Sequence, residues 1–298
     1  GYTSRITNAG EMRNWGYEFQ ITGTPIKTSK FSWDIGINAY RQYNEVVSLE
    51  EGIDAIARGN TWAASLRIAE GDPYMGVYGQ DYIRETYELD DDGKIISNEG
   101  AIVVDENGYP TFTPDRVFLG SAIADWVGGV NTTLNFGPLS IGGLVDFQRG
   151  GVIHSTSLQW SKYSGMHPET VEYMGEEDIR ANGFVYEGVK EDGSPNDIRV
   201  TDPQTYYQSI WRSAAPNIYS ASFVKLRELR MDFRIPTNSI SFLRGASVGV
   251  FGRNLAILSS DLPFLDPQGI NGAGNDQGLE NAQVPSTRSF GVNLSIKL

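Results

Sequence analysis

Residues 245–249 are the part of the chain that comes nearest to a catalytic motif. Gly245-Ala-Ser-Val-Gly249 fits the G-x-S-x-G nucleophile elbow, in which a helix follows the serine and a histidine lies further along the chain. Here the residues after Ser247 alternate as in a strand, and the two histidines of the chain, His154 and His167, both precede it. The sequence therefore predicts no catalytic residue and no enzyme.

Patterns that could bind a metal are weak. The two histidines are thirteen residues apart, not at the i, i+4 spacing of a helical metal pair, so we expect both to be solvated loop residues. One segment matches positions 1, 3, 5, 6 and 12 of a calcium loop: Glu88, Asp90, Asp92, Gly93 and Glu99. Position 1 is usually Asp and helical flanks are not evident, so a hairpin turned at Asp92-Gly93 is the favoured alternative. The sequence predicts no cofactor, with calcium at this loop as the one alternative.

Aromatic side chains are frequent in the long polar stretches of the chain. Flat rings stack on sugar faces and on peptide side chains, which makes these residues candidates for contact with a substrate or partner. The alternative for each of them is packing of one loop onto another. The candidates are Trp62, Tyr74, Tyr78, Tyr82, Trp160, Tyr163, Tyr206, Tyr207 and Trp211.

Apolar and polar residues alternate along much of the chain, which predicts strands. These strands must hold the long stretches that carry the aromatic candidates. Between Phe290 and Leu298 every odd position is apolar and every even position is small or polar, which is typical of a strand with two different environments. A change of phase predicts a bulge near Arg227-Glu228 and another around Gly252, with fraying as the alternative. The predicted strands are residues 16–25, 31–42, 128–136, 139–148, 222–235, 246–255 and 286–298.

The connections between these strands alternate in length. Residues 26–30, 137–138 and 236–245 are short turns, whereas 43–127, 149–221 and 256–285 are very long loops. In an antiparallel sheet this places every turn at one end and every long loop at the other, as in outer-membrane β-barrels. A β-sandwich also has alternating strands, so a soluble sandwich with insertions remains the alternative.

Composition excludes several classes of protein. No apolar run is long enough for a membrane-spanning helix, and the net charge of −13 excludes nucleic acid as a partner. The long loops hold 31 of the 37 acidic residues but only 11 of the 24 basic ones, so the negative charge belongs to the loops. Cysteine is absent, and residues 1–5 do not begin a signal peptide.

Several segments, in this order, resemble one protein family. They are residues 8–19, 24–26 and 31–38, Gly71-Asp-Pro-Tyr-Met-Gly-Val-Tyr-Gly, Asp125-Trp-Val-Gly-Gly, Phe223-Val-Lys-Leu-Arg-Glu-Leu, Gly252-Arg-Asn-Leu and residues 285–294. Together they resemble the barrel of SusC/RagA-type TonB-dependent transporters of Bacteroidetes outer membranes. The resemblance extends over nearly the whole chain and identifies residues 1–298 as the C-terminal part of such a barrel.

The resemblance implies an all-β fold, a transmembrane antiparallel barrel of 22 strands with long extracellular loops and a periplasmic C-terminus. It implies that the plug domain and the signal peptide are absent from this chain. The implied partners are a SusD-like surface lipoprotein, the TonB complex acting through the plug, the lipid bilayer, and an oligosaccharide or peptide substrate.

The predicted function is therefore TonB-dependent import of oligosaccharides or peptides across the outer membrane. The main alternative is a soluble or surface-tethered β-sandwich that binds glycans. A glycosidase acting through loop carboxylates is a third alternative, because acidic residues are abundant there, although no pair of them is singled out.

Overall fold

Strands dominate the computed structural model, which describes residues 10–91, 93–236, 244–270 and 277–297. In chain order the strands are β1 (Gly10–Lys27), β2 (Phe31–Leu49), β3 (Ala55–Asn60), β4 (Ser65–Ala69), β5 (Gly76–Gly79), β6 (Glu88–Leu89), β7 (Ile95–Ser97), β8 (Val103–Val104), β9 (Val117–Ser121), β10 (Trp126–Phe136), β11 (Leu139–Arg149), β12 (Val152–Ser155), β13 (Phe184–Val185), β14 (Val189–Lys190), β15 (Arg199–Val200), β16 (Ile218–Ser220), β17 (Phe223–Ile235), β18 (Gly245–Ser260), β19 (Leu279–Glu280) and β20 (Ser289–Lys297). The α-helices are α1 (Thr156–Tyr163), α2 (Ile179–Asn182) and α3 (Pro203–Ile210), and single 3₁₀ turns occur at Pro168–Thr170 and Ala215–Asn217.

The largest sheet consists of the seven predicted strands. Its order is β1-β2-β10-β11-β17-β18-β20, which is also their order along the chain, and every neighbouring pair is antiparallel. Most of these strands are longer than predicted; β2, for example, continues to Leu49. The alternation of short turns and long connections is confirmed, because β1–β2, β10–β11 and β17–β18 are the closely spaced pairs.

Backbone pairing aligns the apolar residues of all seven strands on one face of this sheet. One row of directly paired residues crosses the whole sheet: Val292, Val250, Met231, Ile141, Leu134, Trp33 and Ile26. The neighbouring row lies on the opposite face and is polar or small: Asn293, Gly249, Asp232, Ser140, Asn135, Ser32 and Lys27. The apolar side chains are exposed to a large extent, with 72% for Val292 and 47% for Met231. This sheet therefore has one apolar and one polar surface.

The predicted bulge in β17 is confirmed. Pairing with both neighbouring strands skips from Leu226 to Glu228, which leaves Arg227 as the extra residue. The second irregularity lies slightly later than predicted, because Gly252 pairs regularly and the break falls after Arg253. Asn254 has a φ of 52° there, and asparagine tolerates this left-handed conformation better than most residues.

The long connections fold into a layer of their own at one end of the sheet. They contain all the short strands and the helices, and they bury three separate hydrophobic clusters. The first cluster is centred on Leu66 and Val77, the second on Phe184 and Tyr206, and the third on Ile153. The sequence predicts long loops here, with packing of one loop onto another as the alternative for their aromatic residues. The long connections are compact, because apolar residues that are scattered in sequence meet in three dimensions.

Within the described part of the chain, the helices are all too short and too polar to cross a bilayer.

Candidate functional site

Four of the predicted contact residues meet in one group of exposed rings. Trp62 lies between β3 and β4, Trp160 and Tyr163 belong to α1, and Trp211 ends α3. The side chain of Trp62 is 55% exposed and that of Trp160 is 38% exposed, whereas Tyr163 and Trp211 are half-buried. We call these four residues the aromatic cluster.

The rings of the aromatic cluster are in direct contact. The centroids of Trp62 and Trp160 are 5.5 Å apart with the ring planes at 88°, and Trp160 and Trp211 are 5.2 Å apart. Tyr163 completes the group at 5.2 Å from Trp160 and 5.6 Å from Trp211. These are the offset and edge-to-face separations that aromatic pairs prefer. The exposed pair therefore forms a corner of two perpendicular ring planes that is open to solvent.

The sequence of α1 explains why two of these rings lie together. Trp160 and Tyr163 are three residues apart, so they share one face of the helix. Ser155 caps the helix by accepting a hydrogen bond from the Leu158 amide at 3.1 Å. The buried carboxylate of Glu280 accepts hydrogen bonds from the Ser155 hydroxyl at 2.6 Å and from the Ser157 amide at 3.0 Å. The start of α1 is thus tied to β19.

The contact between α1 and α3 brings in the third ring. The Gln159 side-chain amide donates to the backbone carbonyl of Trp211, which fixes the end of α3 against α1. Beside this contact is a cavity of about 470 Å³ whose lining includes Tyr163, Tyr207 and Lys162. The Lys162 ammonium is 3.0 Å from the Glu169 carboxylate and donates to the Pro216 carbonyl at 3.1 Å, so its charge is compensated.

The other predicted aromatic residues lie apart from the aromatic cluster. Tyr206 and Tyr207 are only 2% exposed and pack in the second hydrophobic cluster, and Tyr78 is buried beside Phe118. Burial raises the pKa of both Tyr206 and Tyr207. Tyr74 and Tyr82 are half-buried. Packing is therefore the observed role of Tyr78, Tyr206 and Tyr207, and only part of the predicted set is open to a ligand.

The prediction that both histidines are solvated is wrong. His154 is completely buried in β12, and His167 is 8% exposed with its ring 5.4 Å from that of Phe264. Burial, together with the nearby positive charge of Arg116, lowers the pKa of His154 to about 4, so the ring is neutral at physiological pH. Burial also lowers the pKa of His167. Both histidines are buried because the long connections fold into compact cores. The periodicity of the sequence does not predict this.

The segment with calcium-loop spacing forms a hairpin. Strands β6 and β7 pair on either side of the turn, the Gly93 amide donates to the Asp90 carbonyl at 3.0 Å, and Gly93 has a φ of 79°. Asp92 lies outside the described residues. Among the residues that the structure describes, no three acidic or histidine side chains converge as a metal site would require. The hairpin alternative thus agrees with the fold, and calcium stays a prediction.

Sequence reasoning missed the arginines around the aromatic cluster. An Arg116 Nη atom donates to the Trp62 carbonyl at 3.2 Å, and the Arg212 guanidinium lies 5.3 Å from the centroid of the Trp211 ring. Arg212 follows Trp211 directly, which is a local signal. Arg116 is 54 residues from Trp62 and no spacing in the sequence connects them.

Comparison with known proteins gives a consistent set of relatives, although no family model matches the chain. The chain is 25% identical to TonB-dependent receptor P3 of Formosa agariphila over its whole length, which corresponds to 30% of that protein. It is 29% identical over 140 residues, 43% of the chain, to TonB-dependent receptor SusC of Bacteroides thetaiotaomicron. The chain thus spans about 30% of the length of the curated relatives that it matches from end to end.

Solved structures share the fold. A chain of the RagAB peptide transporter superposes with a TM-score of 0.64 at 16% identity, covering 95% of this chain and 29% of that one. The RagAB peptide importer in its closed-closed state gives a TM-score of 0.63 at 15% identity, with 96% and 29% covered. These relatives are named as receptors and as a transporter, in agreement with the prediction that the chain is not an enzyme. The resemblance seen in the sequence is confirmed, and the chain is a homologue of TonB-dependent receptors, SusC among them.

Proposed function

We propose that this chain forms the C-terminal part of the wall of a TonB-dependent importer in the outer membrane. The observation that carries this proposal is the continuous apolar row across the seven-stranded sheet, from Val292 to Ile26. Each of these side chains is paired with apolar neighbours, and within the described residues none of them belongs to the three hydrophobic clusters. An apolar surface of this size needs an apolar environment, and lipid supplies it for a barrel wall.

The β-sandwich alternative has less support. A sandwich would cover the apolar face with a second sheet about 10 Å away. Within the described ranges the remaining sheets have two to four short strands and lie in the loop layer. Similarity to TonB-dependent receptors over the whole chain favours the barrel as well.

The two edge strands of the seven-stranded sheet, β1 and β20, are exposed, which indicates that the complete sheet has further strands. All residues of β1 and nearly all residues of β20 are exposed, and within the described residues each strand pairs on one side only. Unpaired backbone groups are not tolerated in the hydrocarbon region, so both edges require further strands. We infer that these strands come from the rest of a 22-stranded barrel, which also holds the plug.

The long connections would then be extracellular and the C-terminus periplasmic. In this orientation the aromatic cluster faces the outside, where a SusD-like lipoprotein and an oligosaccharide or peptide cargo arrive. The TonB complex would act from the other side through the plug. A relative named as a peptide importer makes peptides one cargo class, and the open corner of Trp62 and Trp160 suits sugar rings equally.

The location of the full-length protein tests this proposal. We expect it to sediment with outer membranes, to need detergent for extraction, and to migrate faster in unheated than in heated detergent gels, because closed barrels resist unfolding by detergent. A known outer-membrane barrel and a known periplasmic protein from the same cells serve as controls. Recovery of the protein in the soluble fraction would exclude a membrane barrel.

A further inference from the structure

Two arginines lie beside the aromatic cluster in the acidic loop layer, and the residues that accept their hydrogen bonds, Ser65 and Trp62, are three positions apart in the chain. Arg67 belongs to β4 and Arg116 directly precedes β9, and both side chains are half-buried. Arg116 reaches the aromatic cluster through its hydrogen bond to the Trp62 carbonyl. Arg67 lies over the ring of Tyr78, with its guanidinium carbon 5.2 Å from the ring centroid. Arg67 is thus in a strand and Arg116 directly beside one.

Neither guanidinium has an ion-pair partner among the residues that the structure describes. The Arg67 Nε donates to the Ser65 hydroxyl at 3.1 Å, and Arg116 donates to the Trp62 carbonyl. A guanidinium has five N–H donors, so most donors of both residues have no protein acceptor. Asp72, whose carboxylate also lies near Tyr78, accepts the hydroxyl of that tyrosine. Other loop cations do find carboxylates, as Arg199 does with Glu176 at 2.8 Å.

Among the residues that the structure describes, no carboxylate lies within ion-pair distance of Arg116. Burial and the positive charge of Arg67 both lower the pKa of Arg116. His154 lies near Arg116 and is neutral, because burial and the charge of Arg116 lower its pKa to about 4. Two like charges held together in a half-buried place are unfavourable unless an anion joins them.

We propose that Arg67 and Arg116 bind an oxyanion of the cargo, a carboxylate or a sulfate, while the exposed ring of Trp62, whose carbonyl accepts the hydrogen bond of Arg116, contacts the adjoining part of the same molecule. A carboxylate or sulfate can accept two parallel hydrogen bonds from each guanidinium, which is the geometry that arginine recognises best. The loop layer has a net negative charge, so an anionic group is attracted to these two arginines and repelled by the acidic side chains around them. The assignment of the ligand to cargo rests on the proposed import function.

Matched pairs of probes test the site in the full-length protein purified in detergent. Glucuronate differs from glucuronamide, and N-acetyltyrosine from N-acetyltyrosinamide, only by replacement of a carboxylate with a neutral amide. Calorimetry should give at least roughly tenfold tighter binding of the acid in one or both pairs, and the preferred pair identifies a sugar acid or a peptide carboxylate as the source. Glucose 6-sulfate against glucose tests the sulfate in the same way. Equal affinity for charged and neutral members in every pair would refute the proposal.

Substitutions test whether the two arginines bind the anion. Arg116→Gln and Arg67→Gln should each weaken binding of the preferred anion by roughly tenfold. Arg116→Lys should give an intermediate loss, because lysine keeps the charge but cannot donate two parallel hydrogen bonds. Arg58→Gln is the matched control, since it removes one exposed charge from the neighbouring strand β3 and should change affinity less than about twofold. If one variant fails to fold, the other two carry the same test. A loss in Arg58→Gln as large as in Arg116→Gln would assign the binding to general charge and contradict the site. Outer-membrane location is measured separately. If the protein is an outer-membrane importer but does not bind anions, only the anion site is refuted and the proposed function is retained.

Discussion

At the scale of single residues, exposure separates the aromatic side chains that are open to a ligand from those that hold the loops together. Trp62 is 55% exposed at the open side of the aromatic cluster, whereas Tyr206 is 2% exposed in a hydrophobic cluster. Both residues are aromatic and both lie in long connections. The difference between them is in their neighbours, which come from distant parts of the chain.

Replacement of Trp62 tests the role of the aromatic cluster. Trp62→Ala in the full-length protein should weaken capture of cargo by roughly three- to tenfold, because one stacking surface is lost, and Trp62→Phe should weaken it less. Native mass spectrometry with a protein digest and a polysaccharide digest as probes measures this effect. Phe264→Ala, which removes a ring that is 72% exposed outside the aromatic cluster, is the control. Equal capture by Trp62→Ala and wild type would remove Trp62 from the cargo site.

Burial of His154 predicts a loss of loop stability in acid. Its pKa is about 4 in the folded protein and about 6.5 in an unfolded chain, so the unfolded state binds the proton first as the pH falls. Stability contributed by the neutral ring is present above pH 6.5 and declines by up to about 3 kcal/mol between pH 6.5 and 4. Protection factors from hydrogen exchange in β12, corrected for intrinsic rates, measure this decline. His154→Gln should flatten it, and an unchanged profile in that variant would mean that another group is responsible.

At the scale of elements, strand periodicity decides which face each residue of β20 occupies. Val292 and Leu294 pair with Val250 and Val248 on the apolar face, and Asn293 pairs with Gly249 on the polar face. A shift of one residue would exchange the two faces. The register observed here therefore agrees with the alternation in the sequence over the whole length of the strand.

The two faces of β20 should respond differently to the same substitution. Leu294→Arg places a charge on the apolar face and should cost about 2–4 kcal/mol near the middle of a bilayer, whereas Asn293→Arg should cost far less. Urea unfolding of the full-length protein in lipid vesicles measures the difference. Similar costs for both variants would contradict the assignment of the faces.

Labelling distinguishes lipid from a packed protein core on that face. Single cysteines at positions 292, 294 and 296 should react with a lipid-soluble reagent and resist a water-soluble one, because the side chains there are exposed in the chain and would contact lipid. A cysteine at 293 is the control for the polar face. Protection from both reagents would indicate that protein covers the apolar face.

At the scale of the whole molecule, the chain has two parts with different physical origins. Among the buried residues of the three hydrophobic clusters only Val46 belongs to the seven-stranded sheet, because the apolar side chains of this sheet point outward on one face. The loop layer does have cores, and the one around Phe184 contains Tyr173 and Tyr206 with ring centroids 4.5 and 5.0 Å from that of Phe184. The sheet and the loop layer should therefore lose structure independently.

A substitution that creates a cavity in the loop layer tests whether the sheet and the loop layer unfold independently. Phe184→Ala should cost about 3–5 kcal/mol, since the residue is fully buried and its neighbours are large rings. Hydrogen exchange should increase in α2, α3, β13 and β15 but not in β17 and β18. Phe264→Ala, at an exposed position, should leave exchange unchanged in both parts. Increased exchange throughout the sheet in Phe184→Ala would show that the two parts unfold together.

Local sequence patterns predict the seven strands, the two faces of the sheet and the bulge at Arg227. These features follow from local alternation of side chains, which repeats every two residues and therefore identifies strands without any knowledge of distant contacts. The alternation of short and long connections likewise depends only on chain order. The resemblance to TonB-dependent transporters is also a property of ordered local segments, such as residues 71–79 and 125–129.

Burial of individual loop residues, and the contacts between them, depend on the fold and could not be predicted from the sequence. His154 and Tyr206 are interior because the long connections fold into cores, and short-range patterns carry no information about contacts between residues that are far apart in the chain. Trp62, Trp160 and Trp211 form one cluster, and Arg67 and Arg116 come together beside it, through the packing of β4, β9, α1 and α3. Burial and proximity depend on the whole folded chain, so the site could be identified only after the loops had been placed.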